Sequence, residues 1–268
     1  MKNIYVAFPG GRFKALTLSY DDGKLSDRRL VSILNKHGLK GSFHLNGGLF
    51  GQPERVAASE VRELYAGHEV SAHTFTHPTI ARCPREQIAR QVLDDRKVLE
   101  DLVGYPVRGL SYPNGSYSRE IAALLPQLGI EYGRLVQTTG GFAMPEDFLL
   151  WQGTCHHKQE LAKRGEEFLA LQKSQYLYLM YVWGHSYEFD NDGNWVLIED
   201  FAARLGGQAD IWYATNIEIV DYMNRWKAMR FSSDCSLATN PSASSVWLAV
   251  GGEIVEVPGG ATVSLALG

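Results

Sequence analysis

The chain has no surplus of positive charge: 26 Lys and Arg stand against 30 Asp and Glu, a net charge of −4 at pH 7. Neutralising phosphates needs the opposite balance, so nucleic acid is excluded as a main partner. Cysteine is scarce. Cys83, Cys155 and Cys235 are odd in number, far apart and without a CxxC pair. Neither a disulfide framework nor a cysteine-based zinc site is expected, and reduced structural thiols fit a cytoplasmic location. No apolar run approaches the ~18 residues of a membrane span, so no membrane partner is expected. The opening stretch Met1–Pro9 carries one positive charge and is cut short by Pro9 and Gly10. It does not read as a signal peptide, although a removed one would leave no trace here. Internal repeats and low-complexity tracts are also missing. What is there is an ordinary globular composition, 45% hydrophobic and 21% charged over 268 residues, with ample material for a core.

Short β-prone runs alternate with amphipathic helical stretches from about residue 14 to about residue 230. Strands are expected at Lys14–Tyr20, Gly41–Asn46, His68–Ala72, Val107–Tyr112, Ile130–Val136 and Tyr176–Trp183. Helices are expected after Arg29, over Glu54–Tyr65, Pro84–Val103, Arg119–Leu128, Glu160–Leu171 and Ile198–Leu205, and after Thr215, whose spacing to Glu218 makes a capping box. Seven or so βα units imply a parallel sheet, open or closed as a barrel. After Phe231 the pattern changes. Val246–Val250 and Glu253–Val257 flank Gly251-Gly252 as a β-hairpin, with Ala261–Leu267 as a third strand. The division expected is residues 1–230 as one α/β unit and 231–268 as a small β appendage.

Four polar clusters fall at the C-terminal ends of strands, where α/β folds build sites. Ser19-Tyr20-Asp21-Asp22-Gly23 places two carboxylates side by side. A metal on one would leave the other free as a base, although Asp-Asp-Gly is also ordinary cap chemistry before a helix. His73-Thr74-Phe75-Thr76-His77 follows the next such strand. Histidines four apart share a face of one helical turn and can present two nitrogens to one ion. Asp plus two His suits Zn²⁺ or a similar divalent ion with open positions for water. Tyr112-Pro113-Asn114-Gly115 and Trp183-Gly184-His185 complete the rim, the former also explicable as a turn.

In this order the segments resemble the polysaccharide deacetylase family (carbohydrate esterase family 4, the NodB-like deacetylases) over roughly residues 13–230. Ser19–Gly23 resembles its first motif, Thr-Phe-Asp-Asp-Gly, and His73–His77 its His-Thr/Ser-x-x-His. Tyr112–Gly115 is similar to Arg-x-Pro-Tyr-Gly, and Trp183–His185 to Leu-x-His. The resemblance implies a distorted (β/α)₇ barrel and metal-dependent removal of acetyl groups, N-acetyl first, from a carbohydrate. It implies Asp22, His73 and His77 as metal ligands, Asp21 as general base and His185 as acid. Asn114 would offer its backbone N–H to the oxyanion, with Tyr112 and Trp183 lining the substrate. The ion expected is Zn²⁺, with Co²⁺, Ni²⁺ or Mn²⁺ as substitutes. An O-acetyl esterase and a non-catalytic sugar-binding homologue are the alternatives. The pattern is departed from in three places. Ser111 stands where the family has an arginine that orients the base. The fourth motif, Asp-rich with Trp, is not recognisable, and that region holds Arg134, Trp151 and Cys155-His156-His157. Trp183 replaces a leucine. Arg134 is the candidate for the orienting role; the glycan and oligomeric state are not legible.

Overall fold

In the computed structural model, which describes residues 3–265, the barrel strands follow one rule. Each alternates its side chains between an outer apolar face and an inner face that mixes polar groups with a second cluster holding Tyr132, Trp151, Tyr181 and Trp183. Strand β1 (Ile4–Ala7) stands apart and is treated below; β2 (Lys14–Asp21) sets the pattern. Leu16, Leu18 and Tyr20 join the core beneath the helices, whereas Ala15, Thr17, Ser19 and Asp21 occupy the opposite face. Helix α1 (Asp27–Lys36) buries Leu30, Val31, Ile33 and Leu34. Strand β3 (Gly41–Leu45) carries Ser42 and His44 on the inner face, and after helix α2 (Val61–Leu64), β4 (Glu69–Ala72) carries Glu69 and Ser71. Helix α3 (Arg85–Val103) ends on Gly104, which adopts the left-handed cap at φ 81°.

Strand β5 (Gly109–Ser111), helix α4 (Arg119–Leu124), strand β6 (Tyr132–Thr138) and the short β7 (Trp151–Gly153) and β8 (Cys155–His156) continue the series. Helix α5 (Leu161–Leu169), strand β9 (Tyr178–Gly184), helices α6 (Tyr187–Asn191) and α7 (Val196–Leu205), strand β10 (Ile211–Tyr213) and helix α8 (Asn216–Ala228) complete it. The parallel order is β7-β6-β5-β4-β3-β2-β9-β8. Only Thr154 separates β7, paired to β6, from β8, paired to β9. That one segment therefore closes the sheet on itself. Counting it as a single stave, the ring is β2, β3, β4, β5, β6, β7/β8 and β9: a distorted (β/α)₇ barrel, as the resemblance implied. Thr154 is held at the closure by its N–H to the Tyr181 carbonyl, 2.8 Å, and by its hydroxyl, which accepts from Tyr181 N at 3.0 Å. Strand β10 pairs with Lys14–Leu16, below the stretch of β2 that meets β3.

The tail holds β11 (Arg230–Phe231), β12 (Leu237–Thr239), β13 (Val246–Val250), β14 (Glu253–Val257) and β15 (Thr262–Ser264). The β13–β14 hairpin is present, but the third strand pairs with β12 instead, and Ala266 and Leu267 lie outside the described residues. Strand β1 completes the hairpin sheet antiparallel to β13. One helix is much shorter than its pattern predicts. Over Glu54–Tyr65 only Ala58–Leu64 is helical, first as a 3₁₀ turn. Residues 54–56 are instead pinned to the loop after β2, with Leu25 N–H on the Glu54 carbonyl (3.0 Å) and Val56 N–H on that of Gly23 (2.9 Å). Tertiary pairing overrides the local periodicity. Among the described residues no helix is long and apolar enough to cross a membrane.

Candidate functional site

The inner polar stripe of β2 ends on Asp21, which is 3% exposed. Its Oδ2 accepts a bond from Ser111 Oγ at 3.0 Å and pairs with the Arg134 guanidinium. Its buried Oδ1 has no hydrogen-bond partner; His44 Nδ1 lies 3.4 Å away. Burial pushes the Asp21 carboxyl up, but Arg134, then His73, His44 and His185, outweigh it and hold the group well below the usual carboxylate range. The structure thus brings Arg134 from β6 to Asp21, and Ser111, which is short and uncharged, contributes a hydrogen bond to the same oxygen. Trp183 stacks on that guanidinium, 4.5 Å from ring centre to carbon, and packs edge-on against His156.

Consecutive residues of a strand face opposite ways, so two adjacent carboxylates need a backbone break to share a site. Asp22 supplies it with φ 83°, followed by Gly23 at 59°. Its carboxylate joins His73 and His77 in a group whose donor atoms all lie within 4.8 Å of one another. The two histidines do not sit on a helical turn as their spacing suggested. Thr74 (φ 67°) and His77 (φ 59°) are both left-handed, and this loop folds the rings to 4.7 Å between centroids. His73 Nδ1–H donates to the Ser111 carbonyl at 2.7 Å, which fixes the tautomer and leaves Nε2 as the lone-pair donor. Burial lowers the His73 pKa to about 4, so the ring is neutral and able to ligate. Of the seven left-handed non-glycine residues among those described, Asp22, Thr74, His77 and Asn114 fall in the rim segments. Such strain collects where a site over-determines its backbone.

The other expected site residues divide. Asn114 occupies a tight 3₁₀ turn (Pro113–Gly115) at φ 57°, its amide directed at Thr79 Oγ1. Tyr112 belongs to the core: it is 1% exposed and its hydroxyl donates to the Leu149 carbonyl, leaving its ring no face for a sugar. His185 is a quarter exposed, and Glu188 accepts from its N–H at 3.0 Å and lies 3.3 Å from its Nδ1. Burial opposes protonation of His185, yet Glu188, Asp21 and Asp22 raise its pKa. A cleft of about 770 Å³ opens over this side of the mouth, lined by Asp22, His77, Lys24, Arg55, Thr76 and Tyr187.

Sequence reasoning missed the scaffold behind the ligands. Asp95, buried on α3, accepts from the backbone of Gly47 at 2.5 Å and of His73 at 2.9 Å. Asn46 donates to the carbonyls of His73 and Thr74, 2.8 Å each. Arg55 sits 3.5 Å from the Asp22 carboxylate. An acidic residue in step with Ile88, Val92 and Leu99 on the buried face of α3 was the available signal for Asp95; Asn46 and Arg55 gave none.

Residues 10–133 match the family model described as polysaccharide deacetylase. The peptidoglycan-N-acetylglucosamine deacetylase PgdA of Listeria monocytogenes is 27% identical over 111 residues, 41% of this chain and 23% of that protein. The chain thus spans about a quarter of that curated relative. A candidate polysaccharide deacetylase from Mycobacterium smegmatis superposes with a TM-score of 0.60 at 17% identity, over 83% of this chain and 94% of that one. A CE4 family pseudoenzyme from Bacillus anthracis superposes at 0.53 and 16% identity, over 81% and 68%. At these identities the superpositions establish the fold; activity has to be argued from the side chains.

Proposed function

We propose that this chain, whose residues 10–133 match the polysaccharide deacetylase family model, is a metal-dependent hydrolase that removes acetyl groups, N-acetyl first, from a carbohydrate. The observation that carries the reading is an ionised Asp21 whose Oδ2 lies 3.6 Å from His73 Nε2, beside the Asp22, His73 and His77 donor group. One carboxylate and two imidazoles, His73 among them with its tautomer fixed, are the donor chemistry of a Zn²⁺-type ion with open positions, and the residues fit that group. Bound there, such an ion supplies Lewis acidity toward the acetyl carbonyl and lowers the pKa of a water molecule.

The chain's own residues do the rest. Asp21 takes the proton of the attacking water, while Arg134 and Ser111 bond its Oδ2 and fix the direction of the carboxylate. Trp183 keeps the guanidinium in place from below. The Asn114 N–H stabilises the oxygen on which negative charge develops. His185, held by Glu188, donates a proton to the departing amine, which an amide needs and an activated ester does not. A pseudoenzyme of this fold would be free to lose the base or the acid, and this chain retains both.

The reading is tested by acetate release from a panel of N- and O-acetylated sugars, with and without added Zn²⁺ or Co²⁺. The expected result is metal-dependent release, fastest from N-acetylated members. Full turnover by a metal-stripped preparation overturns it, and preference for O-acetyl members moves the assignment to an esterase. His185→Ala should harm amides far more than activated esters; equal losses remove His185 from the acid role.

A further inference from the structure

A second donor group lies beside the first and shares none of its ligands. His156 ends β8, His157 follows it, and Glu188 belongs to α6; their donor atoms also lie within 4.8 Å of one another. Glu188 Oε2 is 3.1 Å from His156 Nε2 and 3.5 Å from His157 Nε2. Nitrogen and oxygen ligands ~2.0–2.1 Å from a tetrahedral ion are roughly 3.3–3.4 Å apart, and the two separations bracket that edge.

The position of His157 is built. Its ring is fully buried between Tyr20 and Phe189, at 5.8 and 4.2 Å between centroids, and the backbone N–H of His157 donates to the Trp183 carbonyl at 2.9 Å. A Cβ on Gly184 would come 2.0 Å from His157 Nδ1, so the glycine is what admits the imidazole. Yet neither ring nitrogen has a hydrogen-bond partner. Buried polar atoms are rarely left so, and an orphaned imidazole facing a carboxylate and a second imidazole has a ligand's surroundings. His156 and Glu188 are partly exposed and leave an entry path.

We propose that His156, His157 and Glu188 bind a second divalent ion of the zinc class, next to His185. Lys158 opposes it twice: its backbone N–H donates to His156 Nδ1 at 3.2 Å, a bond that must open before Nε2 can offer its lone pair, and its ammonium is 3.3 Å from Glu188 Oε1. That contact uses the other carboxylate oxygen, and Asp192, at 2.8 Å, retains the lysine when an ion arrives. The same Glu188 oxygen receives the His185 N–H, so the second ion would stiffen the loop that carries His185.

The test is ion stoichiometry, which needs no turnover and so stands or falls apart from the deacetylase reading. The protein is dialysed against Co²⁺, its metal content is measured, and the visible absorption of a Co²⁺ titration is followed. Wild type should bind two ions per chain, with His77→Ala and the partly exposed His156→Ala variant each binding one. Lys158→Met should tighten the second step by about tenfold. A folded His156→Ala protein that binds as many ions as wild type overturns the proposal, whatever the wild-type total. That comparison decides even if substitution of the walled-in His157 prevents folding.

Discussion

At the scale of single residues, Asp21 and Asp22 illustrate how neighbours in sequence come to do different work. Asp22→Ala or His77→Ala should abolish metal binding at the first site. Asp21→Asn should keep the metal and lose roughly 10²–10⁴ in rate, the usual worth of a positioned base. Metal content and acetate release, measured on the same samples, separate the two outcomes. Arg134 is a positioning residue, and its signature is a pH profile. Without its guanidinium Asp21 protonates more readily, so Arg134→Ala should retain metal, lose most turnover, and move the acidic limb of the rate profile to higher pH. An unmoved limb would make Arg134 merely structural. The Asp-Asp and His-x-x-x-His pairs were legible because chemistry imposes their residue types and strand ends impose their place. The Arg134 contact could be suspected only because an expected arginine was missing at Ser111. The burial of Tyr112 was not legible at all, since a tyrosine beside a rim looks the same facing in or out.

Secondary structure elements supply what the ligands lack. The His73–His77 loop is irregular, and α3 holds it through Asp95, which lies one helix away in sequence. Asp95→Ala should weaken metal binding by about 10–100-fold with all three ligands present, the usual cost of losing a supporting hydrogen bond. Competition with a calibrated chelator measures this, and unchanged affinity would show the loop to be self-supporting. The strands and longer helices were readable from periodicity, because apolar residues beneath the helices recur with a fixed period. The short helix over Val61–Leu64 was not, because the backbone hydrogen bonds that unwind residues 54–56 come from a loop thirty residues earlier.

For the molecule as a whole, chelation should leave the fold standing, because the first site crowns the barrel and the apolar cores lie elsewhere. Global unfolding with chelator, followed by circular dichroism, would make the ion structural. Stability should also carry an imprint of buried acids. Burial raises Asp27 to about 7, against hydrogen bonds from Ser186 and Tyr65. Between its unfolded pKa near 4 and pH 7 the native state holds a proton that the unfolded chain has released. This group's contribution therefore falls as pH rises through that window, by at most about 1.4 kcal/mol per pH unit. Asp27→Asn should flatten that slope, seen as a stability difference from wild type that grows between pH 5 and 8 in urea titrations. A constant difference would mean Asp27 is already ionised in the fold.

The closure of the ring at Thr154 ties these scales together. Strands β6 and β9, which carry Arg134 and Trp183, are neighbours only through the stave that turns from one to the other at that residue. The circumference of the barrel and the reach of the guanidinium to Asp21 are thus set by a single measure. A widening of the ring at Thr154 would open the mouth like a loosened hoop. It would register first as a change in the acidity of Asp21.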